Sequence, residues 1–90
     1  MAVTNNVQLV LMDGTICAAL FTSGQGVAIS KEGQPYGAIG EAEVGEFAGR
    51  KNGAMELAAQ VEAILGQPAL TTSSQNSLMD SAYRWFEQHF

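Results

Sequence analysis

Apolar and polar positions alternate through the first half of the chain and recur at three- and four-residue intervals through the second. Val7, Leu9 and Leu11 share one face of an extended segment, with Val10 and Met12 on the other. Asp13-Gly14 follows, and residues 15–21 then read TICAALF. Two apolar runs around Asp-Gly predict a hairpin, because both residues tolerate the positive φ of a type I′ turn. Each run is apolar on both faces in places, which predicts central rather than edge strands. Residues 27–30 (VAIS) make a third strand between two Gly-containing turns. Residues 36–39 make a fourth, with Pro35 at its first position, where a missing N–H is tolerated.

Residues 40–51 admit two readings. The first is a fifth strand over 43–47, followed by a Gly-containing loop that exposes Arg50 and Lys51. The second is one long helix from Glu41 to Leu65. In that case Gly45, Gly49 and Gly53 recur every fourth residue and allow a close neighbour, at a cost of about 0.8–1 kcal/mol each relative to Ala. The first reading is preferred.

The clearest helix covers 52–65. Leu57, Val61, Ile64 and Leu65, with Ala54 and Ala58, make one apolar stripe. Asn52 is placed to cap its start, Gly66 to end it in a left-handed turn, and Pro68 to prevent its resumption. Residues 67–77 (QPALTTSSQNS) read as a polar linker. A last helix is predicted over 78–89, with Ser77 and Asp80 as a variant capping box. The whole is an α+β domain spanning residues 1–90. A small antiparallel meander of three to five strands is followed by two helices packed on one face.

Composition narrows the function classes. Ninety residues bury roughly 60–65% of the unfolded chain's surface, so the core is small and pairing with a second copy adds stability. Only 14% of residues are charged, against about a quarter in an average domain, and a surface poor in charge is easier to desolvate. The net charge is −5, and the four bases, Lys31, Arg50, Lys51 and Arg84, are scattered apart from one adjacent pair. No basic face for a nucleic-acid backbone is expected. The N-terminus has no basic leader, and no apolar run approaches the length of a membrane span. One cysteine, Cys17, rules out an intrachain disulfide. The expected setting is cytoplasmic, with no membrane partner.

Several short stretches carry candidate chemistry. LVLMDGTI, residues 9–16, is similar to the first motif of the haloacid-dehalogenase phosphatases. In that family a nucleophilic aspartate stands two residues before the aspartate of DGT. Here that position is Leu11, which cannot form an acyl-phosphate, and the chain is short for the doubly wound fold the resemblance implies. Gly24-Gln25-Gly26 lacks the third glycine and the following helix of a phosphate loop. Cys17 lies mid-strand and reads as a structural thiol, since the only histidine, His89, is at the far end. Glu41, Glu43 and Glu46 are close enough to hold a metal or act as acid and base, but read as a solvated face. No catalytic residue, cofactor or metal site is assigned.

The C-terminal rings Tyr83, Trp85, Phe86 and Phe90 cover more than half the circumference of their helix. They either complete the core or project as anchors for a partner, and a stripe this wide allows both. The expected function is a non-catalytic protein-interaction module that acts as a homodimer, a small oligomer or the partner of another protein, with those four rings as its interaction residues. Two alternatives stand beside it. One is a small acidic inhibitor of a nucleic-acid-binding protein, which requires the nine acids to gather on one face. The other is a ligand-binding protein or enzyme with a pocket between sheet and helices, lined by Tyr36, Cys17 and the rings.

Overall fold

Four strands and three helices follow one another in a computed structural model that describes residues 2–90. The strands are β1 (Thr4–Val10), β2 (Ile16–Thr22), β3 (Gly26–Lys31) and β4 (Gln34–Ile39). The helices are α1 (Glu41–Ala48), α2 (Gly53–Leu65) and α3 (Thr72–His89). The strands pair antiparallel in chain order, and all three helices lie on one face of the sheet. This is the expected α+β meander with helices behind it. The Cα positions span 34 × 28 × 16 Å, a slab two layers thick.

Alternation along each strand decides what the sheet buries. Val7, Leu9, Cys17, Ala19, Phe21, Val27, Ile29 and Ile39 point at the helices and are all buried. The helices answer with Val44, Phe47, Leu57, Val61, Leu65, Leu78, Ala82 and Trp85, in one continuous cluster. Removing this apolar surface from water is the main driving force of the fold. Gly37 lets α2 reach β4, for a Cβ there would stand 2.5 Å from Ile64 Cγ2.

The structure departs from the sequence reading in six places. The Asp-Gly hairpin closes with a three-residue loop, not a two-residue type I′ turn. Leu11 N–H donates to Thr15 C=O at 2.9 Å, and only Gly14 has positive φ. β1 is an edge strand rather than a central one, and its apolar end is explained by a bridge from Leu11 to Leu70.

Residues 41–48 form a helix, not a fifth strand, and the single long helix to Leu65 is also absent. The chain turns between Gly49 and Asn52, so α1 and α2 are separate. Each glycine has its own role. Gly45 leaves room for the Phe90 ring, 3.2 Å from where a Cβ would stand, and Gly49 ends α1. Gly53 lies directly against the Phe47 carbonyl, with no space for a side chain.

Asn52 takes the N-cap position of α2, but its side chain makes no capping bond. Gly66 ends α2 at the expected place and with positive φ, +79°, but its ψ of −154° is an extended glycine conformation rather than the left-handed turn expected. Finally, α3 begins at Thr72, six residues before its predicted start, because Thr71 Oγ1 accepts the Ser74 N–H at 3.2 Å. The second half of the expected linker, residues 72–77, is therefore the first turn and a half of a helix, while 67–71 stay non-helical. Glu62 holds it to α2, accepting Leu70 N–H at 3.0 Å and the Gln75 side-chain amide at 2.9 Å.

Candidate interaction surfaces

The four C-terminal rings divide between core and surface. Trp85 is 2% exposed, with its ring 5.6 Å from Phe21 and stacked on His89 at 3.9 Å between centroids. It closes the core against β2, so it cannot anchor a partner as the sequence reading had it. Phe86 is half-buried and meets Phe90 edge-on at 6.4 Å. Tyr83 is 61% exposed and Phe90 55%. Helical periodicity separates them: Leu78, Ala82 and Trp85 share the face turned to the sheet, and Tyr83 lies off it.

Tyr83 and Phe86 line a groove of about 510 Å3 between α3 and the start of α2, floored by Met55 and Met79. Its rim mixes Arg50 and Lys51 with Asp80 and Glu87. Arg50 is already engaged, 3.3 Å from Glu56 and 3.9 Å from Glu46. These exposed pairs contribute little stability but leave the groove with no single sign of charge.

A second surface is more distinctive. The outward positions of the sheet run in cross-strand rows: Asn6–Leu20–Ala28–Ala38, then Gln8–Ala18–Ser30–Pro35, then Val10–Ile16. None of these ten carries an ionisable side chain; Glu32, beside Ile16, and Tyr36, with Lys31 over its ring, stand at the β3–β4 end. No helix covers this side, and Ile16 is 49% exposed and Leu20 37%. The alanines, with Ser30 and Gly37, leave a shallow trough of about 370 Å3 beside Leu20. A solvated antiparallel face ordinarily carries polar side chains. Sequence reasoning missed this surface, although its signal, the uncharged half of each strand's alternation, was present.

Charge collects on the other layer. Seven of the nine acids lie on helices: Glu41, Glu43 and Glu46 on α1, Glu56 and Glu62 on α2, and Asp80 and Glu87 on α3. Asp13 and Glu32 sit in turns at one end of the sheet.

The catalytic candidates do not converge. Burial pushes the Cys17 thiol up, away from the thiolate form a nucleophile requires. Tyr36 is exposed with Lys31 Nζ 5.0 Å from its ring centre, while Cys17 is in the core, so the two do not share a pocket. Among the described residues, no group of three or more His, Cys, Asp or Glu is arranged to hold a metal. Asp13, the aspartate of the DGTI stretch, accepts Thr15 N–H at 2.9 Å within its own loop. Hydrogen bonding from Thr15 holds its carboxyl below the usual range, as an Asx turn does.

No helix among the described residues is long and apolar enough to cross a membrane. Compared with known protein families, curated proteins and solved structures, the chain matches none.

Proposed function

We propose that this chain is a non-catalytic protein-interaction module that works through the bare outer face of its sheet. The observation that carries this reading is the composition of that face. Three cross-strand rows hold no charge and expose Leu20 and Ile16 beside small residues. Desolvating such a surface costs little, because no ion has to leave water. Tyr83 and Phe90, exposed on the opposite layer, make a lesser second surface. The partner is a protein, either another copy or a different chain, rather than nucleic acid, whose backbone would find no basic face here. A reducing cytoplasm suits the single buried thiol.

The test is native mass spectrometry of the chain isolated gently from cells that make it naturally. A bound protein mass, present for the unaltered chain and absent for Leu20→Glu, supports the reading. A chain that carries no protein, or one that Leu20→Glu leaves in place, overturns it.

A second reading, the acidic inhibitor, is supported by the placement of seven acids against three bases in the helical layer and its connections. Two of those acids are occupied by Arg50, which weakens it. It predicts association with a basic partner that fades steeply as salt rises and is unaffected by Leu20→Glu.

A further inference from the structure

We infer that the occupant of the bare sheet face is a second copy of this chain, packed face to face about a two-fold axis. Leu20 of each copy then enters the alanine trough of the other. The inference rests on the reading that this face docks a protein, and it names the partner.

Charge is the first argument. The chain carries −5, which would ordinarily keep two copies apart. Here the charge lies on the helices and at the sheet end, while the outward rows are neutral. Stacking two sheets at about 10 Å, with each helical layer about 10 Å further out, puts the acidic layers roughly 30 Å apart. That is nearly four Debye lengths at physiological salt (about 8 Å each), so the repulsion between those layers is screened. A foreign partner of fixed charge would find nothing on this face to pair with. A second copy brings an equally neutral surface.

Shape is the second argument. Ala18 and Ala28, on the two central strands, keep the middle of the face low, and Leu20 stands beside them. A two-fold contact brings each patch against itself, so a knob next to a hollow is self-complementary. The product is a four-layer arrangement with helices outside and two sheets inside.

The edges are the third argument. β4 carries Pro35 and a bulge at Ile29/Ser30, and on β1 the Val10 N–H and C=O are taken by Ser74 and Thr71. Each flank is thus interrupted at one point against addition of another strand, β4 at Pro35 and its bulge and β1 at its Val10 end, which favours the face.

Area sets the strength. Strands of six or seven residues, four abreast, give a footprint of roughly 20 × 17 Å on each copy. The buried total falls below the roughly 1,200–2,000 Å2 of a standard stable interface. The dimer is therefore weak and expected to form only toward the upper end of a micromolar-to-millimolar concentration range.

Sedimentation velocity on the full chain, from about 5 μM to about 1 mM, tests this. The expected result is a rise from 9.5 kDa toward twice that mass, little changed by high salt. Leu20→Glu and Ala28→Glu should each raise Kd more than tenfold, while Gln60→Ala, exposed on α2, leaves it unchanged. Should a variant fold poorly, the unaltered chain decides: concentration-dependent methyl shifts must fall at Ala18, Leu20, Ala28 and Ala38. Dimers that survive both glutamates, or shifts confined to α3, overturn the inference. A pure chain that stays monomeric overturns it too. If that chain holds a different protein in its natural cells and loses it on Leu20→Glu, the interaction-module reading stands. If it holds none, both fail.

Discussion

The Ser74 hydroxyl accepts the backbone N–H of Val10 at 2.8 Å, across 64 residues of sequence. Ser74 is the one polar residue fully buried among the described residues, and this bond ties the first turn of α3 to the end of β1. Ser74→Ala leaves that N–H without a partner, and the cost of such a loss is about 1–3 kcal/mol. Urea denaturation should show the midpoint falling with the slope unchanged. The neighbouring cap gives a comparison: Thr71→Ala should cost about 1 kcal/mol. If Ser74→Ala costs no more than an exposed Ser73→Ala, the tie is not contributing.

Trp85 and Tyr83 stand two residues apart with opposite fates. Trp85→Ala opens a cavity beside Phe21 and should destabilise by about 3–5 kcal/mol. Tyr83→Ala should stay within about 0.5 kcal/mol. Thermal melts of both variants check the assignment. Equal losses would mean that Tyr83 is packed in solution.

Replacing Gly53 and Gly49 by alanine should give different results in the same assay. Helix propensity alone favours Gly53→Ala by about 1 kcal/mol. The new Cβ would meet the Phe47 carbonyl, and no backbone shift relieves this without parting α1 from α2. Net destabilisation of about 1–3 kcal/mol is expected. At Gly49 a Cβ would stand 3.7 Å from its nearest backbone neighbour and φ is −83°, so alanine should be neutral within about 0.5 kcal/mol.

Asp13 predicts a pH dependence. Its carboxyl is held below the ordinary 3.8 by hydrogen bonds from Thr15, side chain first and then backbone. A lowered folded-state pKa means the unfolded chain binds the proton more readily. The stabilisation is therefore complete above the unfolded value and is lost as pH falls through the folded one. The group is fully exposed, so the effect is small. A carboxyl NMR titration should place the Asp13 midpoint below 3.8, and Thr15→Ala should raise it. A midpoint at or above 3.8 removes the basis for the prediction.

The strands were legible because alternation is a local signal, and the inward set Val7, Leu9, Ile29 and Ile39 follows from it directly. The α2 stripe and the Gly66 stop were legible for the same reason. α1 was not, because Gly45 and Gly49 read as breakers until Phe90 is seen against Gly45 and the Phe47 carbonyl against Gly53 at the start of α2. The start of α3 was hidden too. TTSSQNS looks like a loop by composition, and only Val10 and Glu62, both distant in sequence, give Ser74 and Gln75 their partners. The rings of α3 were legible as a cluster, but which of them face outward depends on the packing of Trp85 against Phe21. Low overall charge was noticed, but the place where charge was missing, the outward rows of the sheet, depends on strand register, which no single segment displays.

The closed flanks of the sheet bear on the size of any assembly. A molecule that docks through the proposed sheet face, with each edge interrupted at one point, has a valence of one in that layer. It pairs and stops, where a slab with two bare sides or an open edge would grow into a filament. Pro35 and the Ser74 hydroxyl thus act as terminators, and substitutions that free the β1 edge should show first as lengthening aggregates.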